Sequence, residues 1–147
     1  MQHNGLDCVV IKNRNTIRYL TGFTGDAGIF YLDRQKGILV TDGRFIEQAN
    51  AQIKPFKVLE YKGSIWAELA NLAGNSQRIG FDGDRFTYAD YQSFCDRVTG
   101  KELVSVDLNA IRIVKEKQEL ENLMAAAAIA DRAFLKLLPD IHQGMTE

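Results

Sequence analysis

The sequence predicts an α/β protein with a mixed sheet of about six strands flanked by helices, followed by one long helix. Short β-branched and aromatic runs alternate with segments of helical periodicity, which is typical of a sheet covered by helices. Only Asp33 to Lys36 separates two of these runs, so they predict an antiparallel hairpin within the sheet. The last third of the chain carries an unbroken apolar stripe at helical spacing.

The first strand is predicted over residues 7–11. Its continuous apolar character favours burial on both faces. Asn15 or Thr16 is predicted to cap a short helix over residues 17–20, which Gly22 ends.

The middle of the chain continues the alternation. Further strands are predicted at 27–32, 37–41, 56–61, 78–81 and 102–106, and helices are predicted to begin at Asp42, Ile65 and Thr87. Asp42 is expected to cap its helix, which Pro55 ends. Thr87 and Asp90 have capping-box spacing, and Phe86 and Tyr91 are placed to form a hydrophobic staple.

The long helix is predicted over residues 117–138, about 33 Å at the usual rise per residue. Its stripe consists of Leu120, Leu123, Ala127, Ala130, Phe134 and Leu137. Nothing in the preceding α/β pattern requires so long a partner. We therefore predict one domain over residues 1–110, and a linker plus the first helix of another domain over residues 111–147.

Both ends of the chain have the pattern of cut segments. Asn4-Gly5 is a helix-stop signal with almost no helix before it, and Thr146-Glu147 is a helix start with none after it. We expect folded polypeptide to follow the last residue.

Composition excludes some functions. The chain has 147 residues and a formal net charge of -1, so it lacks the basic excess typical of nucleic-acid binding. No apolar stretch approaches the roughly 20 residues of a membrane span, and no signal pattern is present. Cys8 and Cys95 have no metal-site or CxxC spacing and are expected to be reduced thiols. These features favour a cytoplasmic protein without a membrane or nucleic-acid partner.

The glycine-rich and acidic motifs have structural explanations. Gly22-x-x-Gly25-x-x-Gly28 follows a helix and opens a strand, the reverse of a dinucleotide-binding loop. Asp42 and the segment Asp82-Gly83-Asp84 place carboxylates at strand ends, as metal-dependent nucleases do. A helix cap at Asp42 and a turn at 82–84 are the favoured interpretations.

Neither histidine has the neighbouring acidic residues that a metal site or a catalytic site would need. His3 and His142 lack an acidic partner at metal-ligand spacing, and no serine has a nucleophile-elbow context. The sequence therefore predicts no catalytic residue and no metal ligand in this chain.

Four segments together resemble a known family. They are residues 15–25 (NTIRYLTGFTG), 39–45 (LVTDGRF), 79–82 (IGFD), and 112–147 with its RIVK entry and ADRAF run. In this order they resemble the amino-terminal domain shared by creatinase, prolidase and Xaa-Pro aminopeptidases. Glu116 departs from the pattern, since relatives usually have serine there.

The resemblance implies a ribonuclease-H-like α/β domain without nuclease chemistry. It implies a parent enzyme with a "pita-bread" catalytic domain that holds two divalent ions, of manganese or cobalt type, and cleaves next to proline. The amino-terminal domain would be non-catalytic, would support a homodimer, and would contact its own catalytic domain. A loop containing Phe23, Thr24 and Asp26 would lie near the peptide substrate, with a plain glycine-rich connection as the alternative.

Two rival functions stay open from the sequence. A protein-binding module of the same architecture, as in histone-chaperone relatives, would lack the metal ligands in its second half. A true ribonuclease-H-type nuclease would cleave nucleic acid with magnesium using this chain alone.

Overall fold

The computed structural model describes residues 5–146. Within them the chain divides into two compact units, the first ending at Arg112 and the second beginning at Ile113. His3, the predicted stop signal at Asn4 and the predicted helix start at Glu147 lie outside the described residues.

The first unit is built on one mixed sheet of six strands. They are β1 (Cys8–Ile11), β2 (Ile29–Asp33), β3 (Gly37–Thr41), β4 (Lys57–Glu60), β5 (Arg78–Phe81) and β6 (Glu102–Ser105), in the spatial order β4-β3-β2-β1-β5-β6. The β1–β2 and β2–β3 pairs are antiparallel and the other three pairs are parallel. The predicted fold class and hairpin are confirmed.

Helices cover both faces of this sheet. The first unit contains α1 (Arg14–Thr21), α2 (Ile46–Gln52), α3 (Ile65–Ala73), α4 (Tyr88–Cys95) and a short 3-10 turn at Asn109–Arg112, and the second unit contains α5 (Lys117–Leu137) and a 3-10 turn at Leu138–Asp140. Ile17 of α1 and Ala49 of α2 pack against one face, and Leu69 of α3 and Phe94 of α4 pack against the other. Because β1 lies between the two layers, all four of its residues are buried, as predicted.

Asn13 caps α1, so the predicted cap at Asn15 or Thr16 is wrong. The Asn13 side-chain oxygen accepts hydrogen bonds from the amides of Asn15 at 3.0 Å and Thr16 at 3.3 Å. The helix consequently starts three residues before the predicted position. Its end is as predicted, because Gly22 adopts a left-handed φ of 77° and donates to the Arg18 carbonyl.

The predicted cap at Asp42 is also wrong. The α2 helix begins only at Ile46, and Phe45 occupies the N-cap position. The Asp42 carboxylate instead accepts hydrogen bonds from Arg44. By contrast, the predicted capping box of α4 is present: the Asp90 carboxylate accepts from the Thr87 amide, and the Thr87 hydroxyl accepts from the Asp90 amide.

The second unit consists mainly of α5. The Glu119 carboxylate accepts a hydrogen bond from the Glu116 amide at 2.9 Å, which satisfies a backbone donor at the helix start. None of the described helices is both long enough and apolar enough to cross a membrane.

Candidate functional site

A crevice lies where the carboxyl ends of β1 and β5 meet. These strands are parallel neighbours, and Val10 pairs with Phe81 near their ends. The chain leaves β1 toward α1 on one face of the sheet and leaves β5 toward α4 on the other face. Such a switch point is where open α/β sheets bind ligands, because the two departing connections leave a gap.

Asp82 fixes the shape of one wall of this crevice. Only 1% of its surface is exposed, and its two carboxylate oxygens accept the Lys12 amide at 3.0 and 2.9 Å. It also accepts the Asn13 amide. Burial raises the pKa of Asp82, and the hydrogen bonds from these amides act in the opposite direction. The carboxylate therefore faces backbone, and its role is to hold the β1–α1 loop.

A second carboxylate joins the two connections. Asp90, in the first turn of α4, forms an ion pair with the Lys12 ammonium group. Burial acts to raise the pKa of Asp90, but hydrogen bonds from Lys12 and Thr87 outweigh it, so the pKa is lowered. The loop after β1 is thus tied to both the end of β5 and the start of α4.

A cavity of about 420 Å³ opens at this crevice. Four cationic side chains line it, and the other lining residues carry no charge. The cationic residues are Lys12, Arg14, Arg18 and Arg85; the uncharged ones are Asn13, Asn15, Phe23, Thr24 and Gly25. The cavity is therefore strongly basic in a chain whose formal net charge is -1.

The predicted substrate loop forms part of the same wall. Phe23 is 3% exposed and meets the Phe45 ring edge-on, with 6.3 Å between ring centroids. A Cβ at Gly25 would lie 2.3 Å from the Phe23 ring, so the glycine is what allows this close packing. Phe23 thus anchors the loop to the core.

Thr24 and Asp26 differ in how they are held. The Thr24 amide donates to the Gln52 side-chain oxygen at 3.0 Å, and the Thr24 hydroxyl accepts from Gln48 at 3.0 Å and from Gln52 at 2.9 Å. Asp26 is exposed and forms an ion pair with Arg14. The structure therefore brings Phe23 and Thr24 to the cavity wall and sets Asp26 beside one of its cations. The substrate role of all three stays a prediction.

The strand-end motif at Thr41 lies beside this loop. The Thr41 hydroxyl donates to the Ala27 carbonyl at 2.7 Å. Arg44 binds both carboxylate oxygens of Asp42, at 3.0 and 2.9 Å, and these hydrogen bonds hold the pKa of Asp42 below its usual value. The Asp42 carboxylate is therefore bound by an arginine side chain, whereas the Asp82 carboxylate is bound by backbone amides.

Metal-ligating and catalytic sets are not assembled in residues 5–146. No group of three or more His, Cys, Asp or Glu side chains in this part is placed to hold a metal ion. His142 is exposed and its ring nitrogen lies near the Gln143 carbonyl, while Cys8 and Cys95 are both unpaired thiols. The segment 82–84 forms the predicted turn, with the Asp82 carbonyl accepting from the Arg85 amide.

Sequence reasoning missed the basic cavity. Lys12, Arg14, Arg18 and Arg85 attract no notice along a chain of nearly balanced charge. The available signal was their position after predicted strands: Lys12, Arg14 and Arg18 follow the strand predicted over residues 7–11, and Arg85 follows the strand predicted over residues 78–81. That signal becomes informative only once the two strands are known to be parallel neighbours.

The fold and the site define an α/β domain with a basic crevice at the carboxyl ends of its strands. This chain belongs to the Creatinase/Prolidase N-terminal domain family, whose model matches residues 1–114. The resemblance inferred from the four sequence segments is confirmed.

Three similar proteins are each more than twice as long as this chain. Over 97% of its length it is 35% identical to the uncharacterized peptidase YqhT of Bacillus subtilis, of which it spans 42%. It superposes on an Xaa-Pro dipeptidase from Bacillus anthracis with a TM-score of 0.90 and 29% identity, over 99% of this chain and 42% of that one. For an X-Pro aminopeptidase from Thermotoga maritima the TM-score is 0.83 with 27% identity, over 97% of this chain and 43% of that one. The chain thus spans less than half the length of these relatives.

Proposed function

We propose that this chain is the non-catalytic amino-terminal domain of a dinuclear-metal Xaa-Pro peptidase, either a proline dipeptidase or an Xaa-Pro aminopeptidase. The observation that carries the proposal is the family match over residues 1–114, together with relatives named as Xaa-Pro peptidases. In these relatives the matched part is less than half of the chain, which leaves room for a separate catalytic domain.

The described residues do not fit the two metal ions that the family resemblance implies. Asp82 is occupied by backbone amides and Asp42 by Arg44, and residues 5–146 offer no other cluster of metal ligands. We therefore propose that the ions, of manganese or cobalt type, and the reacting groups belong to polypeptide outside this chain.

The proposed contribution of this domain is to shape the substrate site and to support a homodimer. The dimer is supported by the family resemblance. Substrate shaping is supported by the loop over residues 23–27, whose base is fixed by buried Phe23 and by the hydrogen bonds of Thr24, while Asp26 is exposed. A loop that positions a substrate needs a fixed base and an exposed charged tip. Because the base of this loop is already fixed, little conformational entropy would be lost when a substrate binds.

A substitution that removes the charge of Asp26 but keeps its side-chain shape, made in the complete enzyme, tests the loop. We expect Asp26→Asn to raise KM for an Ala-Pro substrate several-fold, with kcat and Tm nearly unchanged, because the exposed Asp26–Arg14 pair contributes little to stability. Asp96→Asn is the matched control, since Asp96 is also exposed but lies at the end of α4. Equal KM values for the two variants would remove the loop from the substrate site.

We also propose a cytoplasmic location. The support is that Cys8 and Cys95 are free thiols, as expected in a reducing compartment. Cell fractionation followed by thiol labelling of the protein tests it, and recovery in an extracellular fraction would contradict it.

A further inference from the structure

The basic cavity at the β1–β5 crevice has a composition that the proposed peptidase role does not explain. Four cations line it without a carboxylate among the lining residues. Its volume of about 420 Å³ is in the range of small-molecule sites, which are typically about 300–1,000 Å³. Like charges brought together repel one another, so this arrangement is most stable when an anion occupies the cavity.

The carboxylates around the cavity neutralise it only in part. Asp90 pairs with Lys12 and Asp26 pairs with Arg14, while Asp84 lies 3.6 Å from Arg85, a loose contact. Arg18 forms no ion pair with any residue of the range 5–146.

The Arg14 and Arg85 pairs are also solvent-exposed. Their side chains are 63% and 57% exposed, and pairs of this kind are worth about 0–1 kcal/mol. Both guanidinium groups can therefore exchange their partners for a ligand at little cost.

The amino-terminal end of α1 is expected to contribute less to binding an anion than these arginine side chains. The amides of Asn15 and Thr16 in the first turn of α1 are already taken by the Asn13 side chain. Recognition would therefore come from guanidinium groups, which bind the paired oxygens of carboxylate and phosphate groups in a bidentate manner.

The wall that carries the cations is preorganised. Asp82 holds the amides of Lys12 and Asn13 from 70 and 69 residues away along the chain, and the Gln52 side chain holds the amide of Thr24. The cations therefore project from fixed backbone at a switch point, the position at which α/β sheets bind anionic ligands.

We propose that this cavity is a binding site for a small molecule with a phosphate or carboxylate group, held by Arg18, Arg85 and Arg14. This proposal goes beyond the peptidase role and needs no catalytic domain, so the 147-residue chain itself can be tested.

The test is an NMR titration of the ¹⁵N-labelled chain at constant ionic strength, with inorganic phosphate in one arm and succinate in the other. We expect saturable shifts at the amides of Asn15, Thr24 and Arg85 with a low-millimolar Kd in at least one arm. Saturation with phosphate alone assigns a phosphate ligand. Saturation with succinate alone assigns a carboxylate ligand, and saturation with both assigns a general oxyanion site.

Matched variants distinguish binding at this cavity from a general effect of the positive charge of the protein. Arg18→Gln and Arg85→Gln should each weaken binding about tenfold, the value of one charged hydrogen-bonded contact. Arg34→Gln removes the same charge from the β2–β3 turn, which lies at the opposite end of the strands beside the amino end of β1, and should leave the Kd unchanged. Unsaturable shifts in both arms, or equal Kd values in the Arg18 and Arg34 variants, would overturn the proposal.

Discussion

Replacing Asp82 with alanine should be among the most damaging single changes in this domain. Its carboxylate accepts two backbone amides, those of Lys12 and Asn13, at a site that is almost fully buried. Each buried amide left without an acceptor costs about 1–3 kcal/mol. With partial relaxation of the β1–α1 loop, we expect Asp82→Ala to lower the free energy of unfolding by about 3 kcal/mol.

Asparagine at this position should be less damaging. Burial raises the pKa of Asp82, so the negative charge itself opposes folding. Removing that charge therefore offsets part of the stability that is lost with the hydrogen bonds. The asparagine oxygen can still accept one amide, but its NH₂ group would face the other. We expect Asp82→Asn to cost about 1–2 kcal/mol.

Urea unfolding followed by circular dichroism measures both effects. For a domain of this size the urea m-value is about 1–3 kcal/mol/M, so Asp82→Ala should lower the midpoint by about 1 M or more. Asp84→Ala is the control, because Asp84 is exposed and only loosely paired with Arg85. If the two alanine variants unfolded at the same urea concentration, the assignment of Asp82 as the residue that holds the loop would be refuted.

Three further predictions concern the cap, the pH dependence and the core. Asn13→Ala should destabilise the protein by about 1 kcal/mol and Asn15→Ala by much less, because only Asn13 caps α1; urea midpoints compare them. The pKa of Asp90 is lowered below 3.8, so its pairing with Lys12 stabilises the fold at neutral pH and is lost as the pH falls through its folded-state pKa. The stability difference between the wild type and Asp90→Asn should accordingly be about 1 kcal/mol at pH 7 and should shrink as the pH falls through the lowered pKa of Asp90; a constant difference would contradict the pairing. Leu69→Ala should cost about 2–5 kcal/mol by calorimetry, since Leu69 is fully buried between α3 and the sheet.

Much of the fold could be predicted from local pattern. The bounds of β3 and β5 and the start of α3 follow from where apolar runs meet glycine and turn residues, and they match the structure residue for residue. The capping box of Thr87 and Asp90 was also predictable, because both partners lie within one helical turn.

The wrong cap assignments at α1 and α2 have different physical causes. Asn13, Asn15 and Thr16 are all able to cap α1, and local sequence does not choose among them. The choice is made by Asp82, which fixes the backbone at Asn13 from 69 residues away. At α2 the cause is local: Arg44, two residues away, binds the Asp42 carboxylate, and the helix begins only at Ile46.

The basic cavity required tertiary information of another kind. Its cations come from the end of β1, from α1 and from the turn after β5, and they meet because β5 pairs in parallel with β1. Strand order is not encoded in the periodicity of any single segment, so the site becomes visible only in the folded chain.

The most direct measurement of the central claim is peptide hydrolysis with manganese present. The purified 147-residue chain should release no proline from Ala-Pro, whereas the two-domain enzyme that we propose should do so. Proline release by this chain alone, abolished by a chelator, would contradict the assignment of the reacting groups to other polypeptide.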